Sequence, residues 1–280
     1  MKKGVGGAHG ALSFLNAIPT GVGAAVGVNL RMECEVELLD EPVVVGKSRA
    51  RGAPVELESD VSLSLLETLR ERFGYSGGLR FSVESEIPVA KGMKSSTALL
   101  GCLLRGWLDA MSIRLDLMEE ARLVVEIARR ARLTLTGALD DALATLGEGL
   151  FVTNNSEGKL LRHLRLPKMQ VVALVPRRSI HIREVDKGAY ERLRNAYEEA
   201  VDLMLAGKIW GAASLNGLLT SLVAGVDPEP ILRALLLPRT ACAGVTGKGP
   251  TIFAVTDDPG EVIEAWQGAD GEVLLTRLRG

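Results

Sequence analysis

Between a strand-like run and a long apolar helix stands Pro88-Val89-Ala90-Lys91-Gly92-Met93-Lys94-Ser95-Ser96-Thr97-Ala98. Leu79, Phe81 and Val83 alternate with Arg80, Ser82 and Glu84 before it, and 95–111 is apolar and helical after it. A strand, a Gly/Ser loop and a helix start make an anion cradle. The first backbone N–H groups of a helix have no intrahelical acceptor, and the helix dipole favours negative charge at that end. Ser95 and Ser96 suit the N-cap position and can face a phosphate or a metal ion. Lys91 and Lys94 add positive charge. The segment reads as a nucleotide-phosphate loop, although loop lysines are ordinarily just solvated. The pattern G-x-x-x-x-G-K-[ST] is absent, because Gly247-Lys248-Gly249 runs into Pro250. A phosphotransferase with this loop is not of the P-loop type.

The 280 residues suffice for one large or two modest domains. A net charge of −2 argues against general nucleic-acid binding, which asks for a basic stripe. Cys34, Cys102 and Cys242 lie far apart, and His9, His163 and His181 are scattered. That pattern fits neither a disulfide framework nor a zinc site, and it suits a reducing cytosol. No apolar run approaches the ~18 residues of a membrane span. Lys2 and Lys3 precede a small-residue stretch, but His9, Asn16 and Pro19 interrupt it, so we expect no secretion signal and a cytoplasmic protein.

Periodicity predicts strands at 33–39, 79–83, 150–153, 160–166, 171–175, 241–245, 251–256 and 273–278. It predicts helices at 59–73, 95–111, 116–133, 141–146, 184–206, 208–224 and 259–267, with a short one opened by Pro228 and Pro230. Asp116 is the expected N-cap of the third. Strands and helices mix without strict alternation, so the fold class is α+β rather than doubly wound. A mild boundary near 160–170 divides the chain into 1–165 and 166–280.

Two more glycine-rich segments flank the loop in sequence: Asn16-Ala17-Ile18-Pro19-Thr20-Gly21-Val22-Gly23-Ala24-Ala25 and Gly244-Val245-Thr246-Gly247-Lys248-Gly249-Pro250. Each alone reads as a turn, the second as a hairpin. Asp140 and Asp141 follow Gly137. One reading makes them a helix cap with first-turn charge. The other makes a catalytic carboxylate that takes a proton from a substrate hydroxyl.

Together these segments resemble the GHMP kinase superfamily. Its central motif P-x-x-x-G-L-x-S-S-A/S matches Pro88 to Thr97, with Met93 for Leu, and its G-x-S/T-G-x-G-P matches Gly244 to Pro250. Within it the chain most resembles archaeal-type shikimate kinase. Asn16 to Ala25 is similar to that family's N-A-I-A-T-G-K-G-A-A. Thr134-Leu135-Thr136-Gly137-Ala138-Leu139-Asp140-Asp141-Ala142 is similar to V-T-I-T-G-A-F-D-D-A, and Asn216-Gly217 fits its N-G. The resemblance runs from about residue 5 to 256.

The resemblance implies a two-domain GHMP kinase fold, with a ribosomal protein S5 domain 2-like N-terminal domain and a ferredoxin-like C-terminal domain. It implies transfer of phosphate from ATP, with Mg²⁺, to the 3-hydroxyl of shikimate. ATP would lie in the cleft between the domains, bound by Pro88, Lys91, Gly92, Met93, Lys94, Ser95, Ser96 and Thr97, with Gly247 and Gly249 supporting them. Ser95 or Ser96 would help hold Mg²⁺, and Glu126 stands where some members keep a metal ligand. Asp140 aligns with the catalytic aspartate, with Asp141 beside it and Asn16 near the substrate. Shikimate carries a carboxylate, which arginine meets bidentately, so Arg177, Arg178 and Arg183 are candidate partners. One departure matters: Val22 replaces the family's lysine, and residues 4–46 contain no lysine. The base would then be Asp140 without that help, or with help from a residue distant in the sequence. Homoserine, mevalonate or pantoate kinase remain alternatives in the same class, and a non-catalytic nucleotide-binding protein in another.

Overall fold

The computed structural model describes residues 2–56, 59–180 and 185–280. The chain opens on a long hairpin, β1 (Lys3–Leu15) and β2 (Val22–Leu39). β2 is the spine of a seven-stranded sheet. Its first residues also pair antiparallel with β6 (Leu150–Asn154), and its last with β5 (Gly78–Ser85). Beyond β5 lie β3 (Val44–Ala50), parallel to it, and β4 (Ala53–Val55). Beyond β6 lies β7 (Lys159–Leu164).

Periodicity did not reveal β1, because glycine weakens any strand pattern. Packing explains the glycines. Helix α2 (Ser95–Met111) lies on β1 almost backbone to backbone. A Cβ at Gly4 would stand 2.3 Å from Gly106 O and Ala110 N, and one at Gly6 would stand 2.0 Å from Cys102 O. Helices α1 (Ser59–Phe73), α3 (Leu117–Arg130) and α4 (Leu139–Leu146) complete the layer. Asp116 caps α3 as expected, in a capping box with Glu119.

The remaining strands form a four-stranded antiparallel sheet in the order β11 (Glu272–Arg277), β8 (Gln170–Val175), β10 (Ile252–Thr256), β9 (Thr240–Val245). By chain position this is 4-1-3-2. Helices α5 (Lys187–Arg192), α6 (Arg194–Leu205), α7 (Ile209–Ala224) and α8 (Glu229–Leu235) cross from the first strand to the second, and α9 (Pro259–Ala265) from the third to the fourth. That is the ferredoxin-like βαββαβ arrangement. The expected helix over 184–206 is divided at Leu193 into α5 and α6 among its described residues. One hydrophobic core runs through both sheets. At their junction Phe14 of β1 stacks on Phe253 of β10 at 5.7 Å and meets Trp210 of α7 edge-on at 5.9 Å. The three cysteines are free and buried.

Candidate active site

The loop after β5 is held from below. Met93 is fully buried and its carbonyl accepts from Ala11 N at 3.2 Å. Gly92 has φ +84°, and a Cβ there would stand 2.5 Å from the Thr246 carbonyl. Lys94 follows with φ 67°, and it, not Ser95, is the N-cap of α2. Ser95 and Ser96 are the first helical residues, which corrects the expectation that they cap it. No side chain caps this terminus. The first intrahelical bond is Ala98 N to Lys94 O at 2.9 Å, so the N–H groups of Ser95, Ser96 and Thr97 come before it. They border an open cleft of about 1030 Å³, mouth included, of which about 160 Å³ is the cavity proper.

A second helix start lies in the same cavity. Gly137 (φ +98°) and Ala138 (φ 51°) turn the chain into α4. Ala138 is the N-cap, so Asp140 and Asp141 are not caps but first-turn residues. Asp140 is 3 % exposed. Its Oδ1 accepts from Asn155 Nδ2 at 2.8 Å. Burial, and then the charge of Asp141, push its pKa up to about 7 against the pull of Lys94 and Asn155. Lys94 Nζ lies 2.9 Å from Asp141 Oδ1, a close ion contact without hydrogen-bond alignment. The loop after β5 thus brings a cation to the carboxylate pair, although Val22 stands where a lysine was expected.

The hairpin between β9 and β10 closes the floor. Thr246 Oγ1 accepts from Ser13 N at 2.9 Å and lies 3.4 Å from Gly92 O. Asn16 joins four segments. Its Nδ2 donates to Tyr190 Oη and to Gly247 O, both at 3.0 Å, its Oδ1 accepts from Ile18 N at 3.0 Å, and its N–H donates to Asn216 Oδ1 at 2.8 Å. Both amide hydrogens are therefore committed to the scaffold.

Of the residues singled out in sequence, Asn16, Gly92, Lys94, Ser95, Ser96, Thr97, Asp140, Asp141 and Gly247 line this cavity. Others lie elsewhere. Lys91 turns away and donates to the carbonyls of Arg177 at 2.7 Å and Arg178 at 2.6 Å, so it ties the loop to the end of β8. Pro88 and Arg177 border a neighbouring groove with it. Gly249 shapes the hairpin through Gly249 N to Thr246 O at 2.9 Å. Arg178 donates to Ala224 O and Gly225 O and so closes the end of α7. Glu126 sits on the far face of α3, paired with Arg72 at 2.8 Å and Arg130 at 3.0 Å, and lines a separate groove rather than this cavity. Arg183 lies outside the described residues. Sequence reasoning missed Asn155, Thr246 and Gly23. Thr246 and Gly23 stood in the glycine-rich segments, Asn155 in neither, and the partner of Gly23 is the Asp140 carboxylate, which a Cβ would approach to 2.5 Å.

Residues 61–149 match the model of the GHMP kinases N terminal domain. The chain is 38% identical to the shikimate kinase of Thermococcus kodakarensis over 97% of its own length and 98% of that protein's. It is 37% identical to the shikimate kinase of Pyrococcus abyssi over 99% and 100%. In three dimensions it resembles Methanococcus jannaschii mevalonate kinase (TM-score 0.74, 12% identity, covering 99% of this chain and 98% of the other). It also resembles Cytophaga hutchinsonii homoserine kinase (TM-score 0.73, 16% identity, covering 99% and 95%). Those likenesses establish the two-domain GHMP kinase fold, and the first two place the chain more narrowly: it belongs to the archaeal shikimate kinase family of the GHMP kinase superfamily.

Proposed function

We propose that this protein transfers the γ-phosphoryl group of ATP to the 3-hydroxyl of shikimate, giving shikimate 3-phosphate and ADP. The observation that carries the mechanism is a buried carboxylate, Asp140, facing the same cavity as the uncapped start of α2. Phosphoryl transfer asks a protein chiefly to position its reactants and to stabilise charge. The N–H groups of Ser95, Ser96 and Thr97, with Lys94, supply that charge stabilisation. Asp140 takes the proton of the attacking hydroxyl, and its raised pKa makes it a stronger base than an exposed aspartate. Lys94 offsets the negative charge of Asp141 beside it.

Magnesium suits this donor set. Among the described residues no group of three His, Cys, Asp or Glu side chains could hold a metal ion. Mg²⁺ characteristically relies on one or two protein oxygens together with substrate phosphates and water. The Ser95 and Ser96 hydroxyls, which border the cavity, would hold it, and there it would neutralise charge on the phosphates.

For the purine we propose the apolar annex behind Ser95 and Ser96, lined by Met32, Val55, Val61, Val89, Leu99 and Leu133. Asp141 faces the acceptor side as a hydrogen-bond acceptor for its hydroxyls. Asn16 shapes that side, and Arg183 is our proposed partner for the acceptor's carboxylate. We draw the domain boundary at 165–166, between the end of β7 and the start of β8. No helix of the described residues is long and apolar enough to cross a membrane. The proposed reaction, which draws on ATP, is the ground on which we assign the protein to the cytoplasm.

The test is coupled ADP release with shikimate, homoserine, mevalonate and pantoate as acceptors. Turnover with shikimate alone is the expected result. Turnover with another acceptor and none with shikimate overturns the assignment.

A further inference from the structure

Asn155, just past the end of β6, is 1 % exposed. Its Oδ1 accepts twice, from Leu139 N at 3.0 Å and from Thr153 Oγ1 at 2.7 Å. A carboxamide oxygen with two donors cannot exchange places with its NH₂ without stranding a buried backbone N–H. The Nδ2 group therefore always faces Asp140 Oδ1, at 2.8 Å. Its backbone is anchored as well, through Asn155 N to Gly21 O at 2.8 Å. The bare Cα of Gly23 packs against the whole carboxylate, where a Cβ would stand 2.5 Å from Oδ2, 2.6 Å from Cγ and 2.8 Å from Oδ1. Asp140 is thus gripped between an oriented amide and a strand that leaves it room.

We propose that Asn155 is the positioning residue of the phosphotransfer base, holding Oδ1 of Asp140 so that Oδ2 is the oxygen that receives the acceptor's proton. The inference rests on the reading of Asp140 as the base. A hydrogen bond from a fixed amide also favours the charged carboxylate, and it acts against burial and against Asp141. The charged groups around Asp140 are Asp141 on the same helix, Lys94 before α2 and, behind Gly137, Arg129 of α3. The adjoining stretches, 10–16 of β1 and its turn, 22–28 of β2 and 150–154 of β6, contain no titratable side chain.

The test uses the full chain with Asn155→Ala, Asn155→Asp and Asp140→Asn. The readouts are the pH profile of kcat/KM for shikimate, KM for ATP, and Tm. For Asn155→Ala the acid limb is expected to move up by about one pH unit. KM for ATP is expected to stay within about twofold, since nothing in the phosphate loop touches Asn155. Asn155→Asp keeps the shape and both accepted bonds but presents an oxygen to Asp140, so its limb moves further than that of Asn155→Ala. That order is not what a merely structural role would produce. If the alanine variant fails to fold, an upward shift of the acid limb in the isosteric aspartate variant against the parent, with KM for ATP and Tm kept, supports the same role. An acid limb unmoved in the variants, with activity loss that only follows Tm, overturns the role of Asn155. Full activity in Asp140→Asn overturns the reading of Asp140 itself, so the two failures are distinguishable.

Discussion

Asp140 joins chemistry to instability. Its pKa of about 7 lies well above the ~3.9 of an unfolded chain, so the folded protein binds the extra proton between those values. Stability from this group is fully present below about pH 4 and is lost as pH rises through about 7. Asparagine has no charge to desolvate. Asp140→Asn is therefore expected to raise Tm by roughly 5 °C or more at pH 8 and by little at pH 4, measured by calorimetry. The same variant is expected to lose about 10²–10⁴-fold in kcat with nearly unchanged ATP affinity. In the parent protein kcat/KM is expected to fall about tenfold per unit below pH 7, as the base becomes protonated. A flat profile from pH 5 to 8 contradicts this account.

Helix α2 can present its N-terminus only because β1 lets it lie so close. Gly6 faces the α2 backbone with no room for a methyl group, as the 2.0 Å approach to Cys102 O shows. Backbone cannot swing aside as a side chain can, so the whole helix must shift. Gly6→Ala is expected to cost about 3 kcal/mol or more in urea unfolding. It is also expected to raise KM for ATP, because the same shift moves Ser95 to Thr97. A neutral result would mean that the helix floats freely on the sheet. Both helices of the site start from left-handed residues other than glycine, Lys94 and Ala138. Such backbone costs about 1–3 kcal/mol per residue and collects where function demands a shape.

The molecule couples its two sheets through hydrophobic packing rather than through surface charge. Arg51 and Glu272 form a bidentate ion pair from the β3–β4 turn to β11, but both are well exposed and such pairs contribute little. Phe14 is fully buried between β1, α7 and β10. Phe14→Ala is expected to destabilise the protein by about 3–5 kcal/mol. Probes in the two sheets should still unfold together, because one core serves both. Separate transitions would show two independently stable units.

Much of this was legible in the residues. Alternation marked β5 and the apolar face marked α1, both local patterns that need no partner to be seen. Lys94, Ser95, Ser96 and Thr97 stood out by type and by their place before a helix, Asp140 as a base only through the family resemblance, and all five line one cavity. Side-chain direction was not legible. Lys91 and Lys94 are both lysines of one loop, yet one is tied to the end of β8 and the other meets Asp141. Glu126 turns to arginines on the outer face of α3, and Asn155 reaches Asp140 from a strand end. β1 was hidden because its glycines answer to α2, about 100 residues away. A one-dimensional pattern records the chemistry that each residue can offer. Which neighbour receives it depends on contacts between distant segments, and those exist only once the core has packed.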